Sequence, residues 1–432
     1  MLKQKKRIVG VLAVLAAVTT TGVLSANGSP SESSLSGWPR QIGGNAGDYA
    51  NAVATSASGD VYVAGSTGGT VGTSPNQGEY DAWLARYDKF GRLKWVYQFG
   101  SAATDDVSAV SVVGGSVYLT GITYGALPGN TAGGGLDSYV ARFDTSGNLK
   151  WIRQFGGAGN QDANGAAVLG GSIWVVGGAD GTLDGLTPIG NGDGFLVQVS
   201  TSGTVKSSRL FGTDQYDYPT EIAAAGRTLF IGGSTEGAFA GQSNSGGSDG
   251  FVMSISNINT RRESTWVREF GTAGRDTINT VAVSGRSVYA GGSTNGTFPG
   301  EGQAGSYDAF VVRYSTAGVY SWVQQFGTAG DEDLTGVEAN SSGVFVAGYT
   351  SSVFDEFSGG GSDALAANFS STGVQNWLRQ FGTPVNDEIA ATAIRSSDNY
   401  GGRFVVAGYT SGTVWAQVSK GSDDGFIATF VS

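Results

Sequence analysis

Trp322-Val323-Gln324-Gln325-Phe326-Gly327 is the stretch of sequence that decides the fold, because versions of it return along the whole chain. The Phe-Gly pair recurs at intervals of 55 to 59 residues, counting Ile42-Gly43 as its first version. The other copies are at Phe99, Phe155, Phe211, Phe270 and Phe381. A fixed period of this length indicates one supersecondary unit that is repeated.

A tryptophan stands four residues before most of these pairs. The tryptophans are Trp38, Trp95, Trp151, Trp266, Trp322 and Trp377, and Ser207 takes the position in the fourth copy. Burying a tryptophan removes about 200 Å² from water. We therefore predict that these side chains pack one repeat against the next, in preference to forming a platform for sugars.

The composition of the 432-residue chain excludes several classes of function. Its formal net charge of −11 argues against nucleic acid and against an anionic membrane surface, and leaves cations, glycans and basic proteins as partners. The chain contains no His and no Cys. Serine–histidine triads, histidine zinc sites, disulfides and thiol chemistry are therefore excluded, and any catalysis would rest on carboxylates, Tyr, Lys or Arg.

The N-terminus predicts export. Residues 1–7 are basic, and an apolar run of residues 8–18 follows, which is the length of a secretory signal rather than of a membrane span. We place the signal peptide at 1–26 and a flexible Ser-rich linker at 27–37. The expected location is secreted, periplasmic or cell surface. An uncleaved N-terminal anchor is the alternative, and it would be the chain's only link to a membrane.

Each repeat has the pattern of four short strands. Apolar alternation bounded by Gly, Ser and Thr turns runs through residues 277–283, 288–291, 308–314 and 321–326 of one copy. The first strand of a repeat is rich in small residues and the last carries Trp and Phe. Small residues at an axis and large ones at a rim fit the taper of a propeller blade.

The two ends of the chain predict a closed ring. The last repeat stops after its third strand, Gly425–Phe430, and lacks a Trp-x-x-x-Phe-Gly strand. The missing strand is present at the other end of the chain, as Trp38–Gly43. We predict an all-β, seven-bladed β-propeller over residues 38–432, with four antiparallel strands per blade and the last blade closed by the N-terminal strand.

The repeat also resembles a known family. Its pattern is Trp-x-x-Gln-Phe-Gly, then Asp, then Val-Tyr-Val-Ala-Gly-x-Thr, then Gly-x-x-Asp-Ala-Phe. This pattern is similar to the SBBP repeat of bacterial secreted and surface proteins, and it covers residues 38–432. The resemblance implies a seven-bladed fold and an extracellular setting more than it implies an activity.

Two acidic positions recur in the repeats, and we expect both on one face of the ring. One follows the Phe-Gly pair, at Asp48, Asp105, Asp162, Asp217, Asp276 and Asp387, with Asp331-Glu332-Asp333 in the sixth copy. The other precedes the third strand, at Asp81, Asp137, Asp193, Asp249, Asp308, Asp363 and Asp424. Acceptance of backbone N–H bonds in turns explains such regular acids best. Structural Ca²⁺ is not favoured, because no Asp-x-Asp-x-Asp-Gly loop occurs.

Departures from the repeat are the candidate binding residues. Trp415 has no counterpart in other copies, and Asp331, Glu332 and Asp333 form the densest acidic run. We predict a non-catalytic scaffold of the bacterial cell envelope, without cofactor or metal, that recognises a protein or glycan partner through its loop face. The alternative is a lectin or a carbohydrate-active enzyme that uses the carboxylates and aromatic residues of that face.

Overall fold

The computed structural model describes residues 40–354, 360–395, 403–413 and 419–431. These residues form 28 β-strands. None of them lies in a helix long and apolar enough to cross a membrane. The predicted signal peptide, the predicted linker, Trp38 and Trp415 all fall outside the described residues.

The strands follow one another at regular intervals. The first thirteen are β1 (Arg40–Ile42), β2 (Asp48–Thr55), β3 (Val61–Thr67), β4 (Asp81–Tyr87), β5 (Leu93–Phe99), β6 (Asp105–Val113), β7 (Ser116–Thr123), β8 (Asp137–Asp144), β9 (Leu149–Phe155), β10 (Gln161–Leu169), β11 (Ser172–Ala179), β12 (Asp193–Ser200) and β13 (Val205–Phe211). The others are β14 (Asp217–Ala225), β15 (Thr228–Thr235), β16 (Asp249–Ser256), β17 (Ser264–Phe270), β18 (Asp276–Ser284), β19 (Ser287–Thr294), β20 (Asp308–Ser315), β21 (Tyr320–Phe326), β22 (Glu332–Asn340), β23 (Gly343–Thr350), β24 (Asp363–Ser370), β25 (Gln375–Phe381), β26 (Asp387–Arg395), β27 (Arg403–Thr410) and β28 (Asp424–Val431).

The strands form seven antiparallel sheets of four strands, which are the blades of the predicted propeller. Blades 1 to 6 contain β2–β5, β6–β9, β10–β13, β14–β17, β18–β21 and β22–β25. The first strand of each blade contacts the first strands of its neighbours, for example β18 with β14 and β22. These strands therefore surround the axis, and the predicted fold class is confirmed.

Blade 7 is built from both ends of the chain. Its strand order is β26, β27, β28 and then β1. Arg40 pairs with Ile427, Gln41 with Phe426, and Ile42 with Gly425 in antiparallel register. Strand β2 of blade 1 also contacts β26 of blade 7. The ring is closed as predicted, and the outer edge of β28 is covered.

The core lies between the blades, since each blade packs both faces against a neighbour. The second strands β3 and β19 are buried at every position, as expected of strands covered on both sides. One cluster joins Ala64 and Leu84 of blade 1 to Leu119 and Ala141 of blade 2. The result is a rigid ring that holds its loops at its two ends.

The repeated tryptophans connect each blade to the next. The indole N–H of Trp95 donates to the Thr145 carbonyl at 3.2 Å, and Trp151 donates to Thr201 in the same way. The ring of Trp95 also lies against Gly147, where φ is +91° and an added Cβ would be 2.8 Å from the indole. The turn of the following blade therefore requires glycine both for its backbone conformation and for its contact with the indole.

Several polar contacts join blade 3 to blade 4, where Ser207 stands in place of the repeated tryptophan. Ser207 lies in the fourth strand of blade 3, and the loop that it faces is the lengthened one of blade 4 at 257–263. Arg209 donates to Glu263 of that loop at 2.6 and 3.0 Å, and Asn259 donates to Gln198. At the junction that lacks the tryptophan, the longer loop of the next blade therefore makes an ion pair and amide hydrogen bonds instead.

Candidate functional site

The loop face is the end of the ring where the loops before the first strands meet the loops between second and third strands. The Asp105 amide donates to the Tyr80 carbonyl at 2.8 Å, and the Asp48 amide donates to the Asp423 carbonyl at 2.9 Å. These bonds join the two kinds of loop across neighbouring blades. Both sets of repeated acids therefore lie on this face.

The repeated acids at the strand starts, which we call the turn acids, are buried and serve their own loops. Asp276 accepts the Thr272 amide at 2.7 Å, and Asp249, its neighbour at the start of β16, accepts the Ser245 amide at 2.8 Å. Both side chains are completely buried. Burial raises the pKa of each, although the amide bonds oppose the rise. Their geometry is that of turn-stabilising residues.

In most copies of the repeat, the glycine of the Phe-Gly pair is the point where two turn acids meet. A Cβ added at Gly271 would lie 2.9 Å from Asp276 Oδ2 and still closer to Asp249 Oδ1. The same arrangement surrounds Gly100, between Asp81 and Asp105. The glycine is required because its Cα hydrogen is the only substituent that fits between the carboxylates, where weak C–H···O contacts are possible.

The glutamine of the repeat, which sequence reasoning did not single out, anchors the long loops. Gln98 Nε2 donates to Asp81 and to the Gly69 carbonyl, both at 3.0 Å, while its Oε1 accepts the Val71 amide at 2.9 Å. Gln154, Gln325 and Gln380 make the corresponding bonds. These residues hold the start of each long loop on the ring.

The third blade departs from the predicted series of turn acids. Gln161, not Asp162, begins β10, and its Oε1 accepts the Gly157 amide at 2.7 Å. Asp162 lies one residue further on and accepts the hydroxyl of Tyr218. A count of six residues from the Phe-Gly phenylalanine identifies Gln161 correctly, because every other blade keeps that interval.

The second residue of each first strand contributes to a partly exposed axial ring. Its members are Tyr49, Asp106, Asp162, Tyr218, Thr277, Asp333 and Glu388. Amide side chains from neighbouring blades bind two of its acids, since Asn51 donates to Asp106 at 2.7 Å and Asn279 donates to Asp333 at 2.5 Å. The ring is acidic and, unlike the turn acids, it differs from blade to blade.

Tyrosines are concentrated on one side of this ring, at the junction of blades 6, 7 and 1. We call this patch the tyrosine sector; it contains Tyr49, Tyr80, Tyr349, Tyr409, Asp331, Asp333, Glu388 and Asp423. The rings of Tyr49 and Tyr409 meet edge to face with centroids 5.3 Å apart, and Tyr80 lies 6.2 Å from Tyr49. The Tyr49 hydroxyl donates to Asp423 at 3.1 Å.

The electrostatics of the sector keep its tyrosines protonated. Burial raises the pKa of Tyr49, and the Asp423 charge adds to the rise. Burial also raises the pKa of Tyr409, beside Glu388. The pKa of Glu388 is itself raised by burial, against hydrogen bonds from Tyr409 and Ser362. The sector therefore offers hydroxyl donors, carboxylate acceptors and aromatic faces together.

The predicted binding residues occupy different environments. Asp331 is exposed on the loop face, and Asp333 belongs to the axial ring. Glu332 is a completely buried turn residue that accepts bonds from Thr328 and Thr350, so it has no exposed oxygen for a partner. Trp415 lies outside the described residues.

The tyrosine sector combines aromatic and carboxyl groups that are suited to binding a partner. Aromatic faces beside carboxylates can hold cationic groups or sugars. Among the described residues, no three acids are grouped so that they could hold a metal ion. The tyrosines were not predicted, because they lie in separate strands and loops of three blades. The only signal in the sequence is that Tyr49 and Tyr80 are next to the turn acids Asp48 and Asp81.

Comparison with known proteins supplies one partial likeness. No protein-family model matches the chain. Over 168 residues the chain is 32% identical to "Regulatory protein FlaEY" of Caulobacter vibrioides. The likeness covers 35% of this chain and only 17% of that protein. The strand topology shows the seven-bladed fold that the SBBP resemblance implies, whereas membership of that family rests on the repeat pattern alone.

Proposed function

We propose that this protein is an exported, non-catalytic binding scaffold of the bacterial cell envelope that recognises a basic protein surface through the tyrosine sector. The observation that carries the proposal is the asymmetry of the axial ring. The turn acids repeat around the loop face, whereas four tyrosines gather at the junction of blades 6, 7 and 1. The other tyrosine of the axial ring, Tyr218, lies apart from them in blade 4. A patch that departs from the repeat on a rigid ring is how a scaffold presents a recognition surface.

The negative charge of the sector indicates that its partner is positively charged. Asp331, Asp333, Glu388 and Asp423 bring four carboxyl groups to the patch, and the whole chain carries a formal charge of −11. Such a field favours Lys- and Arg-rich surfaces and opposes nucleic acid. Tyrosine is also enriched at the centre of protein interfaces. The regulatory description of the partial relative agrees with binding as the primary activity.

A lectin or carbohydrate-active enzyme is the second candidate, and one observation favours it. Tyrosine rings and two carboxyl groups, Glu388 and Asp423, lie together near the axis, and Tyr409 and Tyr49 bind these acids. Aromatic faces can stack on sugars, and a pair of carboxyl groups is the minimum set for glycoside hydrolysis. This candidate predicts glycan binding, and in the enzyme form it predicts turnover.

Capture from envelope extract tests the proposal. Tyr409→Ala and Asp423→Asn should each reduce capture of a protein partner at least about fivefold, since centre-of-interface truncations often cost about 1–2 kcal/mol. Tyr124→Ala removes a 49% exposed tyrosine outside the sector and is the matched control. Capture should fall as salt is raised.

Two results would contradict the proposal. Equal capture by Tyr409→Ala and Tyr124→Ala would show that the sector is not the interface. Glycan-array binding that is lost in Tyr409→Ala, without any captured protein, would favour the lectin. Hydrolysis of a glycan that is abolished by Glu388→Gln would favour the enzyme.

A further inference from the structure

A cavity that is open to solvent lies around the axis, at the end of the ring opposite the loop face. Its volume is about 330 Å³, at the lower end of the range of small-molecule sites. Its walls are the last residues of first strands from blades 1, 2, 6 and 7, including Val53, Val110, Val112, Ile394 and Glu338. Because blades 2 and 6 both contribute, the cavity lies across the axis.

Glu338 is an exception to the repeat at this place. The residues at the same register position in the other blades are all small, namely Ala54, Ser111, Ala167, Ala223, Ala282 and Ala393. Small residues leave the middle of the channel open. Glu338 therefore brings a carboxyl group to the lining of the cavity at a position where the other six blades have small side chains.

The carboxyl group of Glu338 has no partner among the residues that the structure describes. Neither a hydrogen bond nor an ion pair reaches it. Protein surrounds the group although the cavity itself leaves it partly accessible, and this burial, together with Glu221, raises its pKa to about 8. Glu221 accepts only the amide of the adjacent Ile222, and burial raises its pKa to about 7. Without a cation beside it the group therefore keeps its proton, because its ionised form would be a costly unpaired charge.

We propose that this cavity binds a primary alkylammonium group, such as a small organic amine or an inserted lysine side chain, with Glu338 as the counter-ion. The lining is mixed: its valine, alanine and isoleucine side chains suit a short hydrocarbon body, Thr55 and Ser111 are polar, and the ionised carboxyl group suits one ammonium head. A divalent metal would need further oxygen ligands, and no group of three acids is present in the described part of the chain. The site is independent of the tyrosine sector at the other end.

Titration calorimetry of the full-length protein with n-hexylammonium chloride tests the site, with n-hexanol as the neutral probe of the same shape. Hexylammonium should bind the wild type more tightly than hexanol does. Glu338→Gln should weaken hexylammonium about 10- to 100-fold, the value of a charge-assisted hydrogen bond, and leave hexanol unchanged. The control Asp214→Asn, which removes an equal charge from an exposed position, should change neither.

A second variant narrows the cavity without changing its charge. Ala54→Leu adds bulk to the lining and should weaken hexylammonium and hexanol together. Failure of the wild type to bind hexylammonium would overturn the proposal. So would equal hexylammonium affinity in the wild type and in folded Glu338→Gln.

Discussion

Glycine in most of the Phe-Gly pairs is fixed by its neighbours more than by its own backbone. At Gly100 no positive φ is needed, yet an added Cβ would approach both Asp81 and Asp105. The two carboxyl groups cannot move apart easily, because each is bonded to the amides of its own turn. A small change in one residue therefore strains two loops and the contact between two blades.

Gly100→Ala should lower the free energy of unfolding by about 1–3 kcal/mol, as overpacking of a buried site does. Gly302→Ala is the matched control, since a Cβ there meets nothing within 4 Å. Urea unfolding of both variants measures the difference. Equal stability of the two variants would mean that the turn acids do not fix this glycine.

Glu338 should make the stability of the protein depend on pH. Its folded-state pKa is about 8 and its ordinary value is 4.5, so the folded state retains a proton that the unfolded state loses. The stability that Glu338 contributes is therefore fully present below about pH 4.5. It falls as the pH rises from there and is lost once the pH passes about 8. Glu338→Gln should remove part of this fall, so that its melting temperature exceeds that of the wild type at pH 9. Parallel curves for wild type and variant would contradict the account.

At the scale of the element, Arg209 and Glu263 join blade 3 to blade 4 at the junction that lacks the repeated tryptophan. Their nitrogen and oxygen are 2.6 Å apart, and both side chains are partly exposed to solvent. A double-mutant cycle of Arg209→Ala and Glu263→Ala should give a coupling free energy of about 0.5–2 kcal/mol. The more exposed pair Arg275–Glu236, at 3.2 Å, should give a value near zero. Similar coupling in both pairs would refute a special role for the first.

The strands and their order could be predicted because the same strand pattern occurs in all seven repeats. The Arg209–Glu263 contact could not, since Ser207 and the longer loop look like unrelated departures in the sequence. Only the placement of the fourth strand of one blade against the loop of the next shows that they meet. The tyrosine sector could not be predicted either. Tyr49 and Tyr409 are separated by most of the chain, and they meet only because the ring closes.

At the scale of the whole molecule, closure by β1 protects the edge of β28. Removing residues 1–43 should expose that edge and lower the melting temperature by several degrees, with aggregation. Removing residues 1–37 leaves β1 in place and is the control. Equal melting temperatures for the two truncations would contradict the closed ring as the source of stability.

Binding through the tyrosine sector is the central claim, and photo-crosslinking tests it most directly. A photoreactive phenylalanine analogue is placed at Tyr80 in the sector or at Tyr320, which is 56% exposed on a fourth strand, and each protein is irradiated in envelope extract. We predict a discrete crosslinked protein from position 80 that is lost at high salt, and none from position 320. Crosslinks from position 320 alone would contradict the claim.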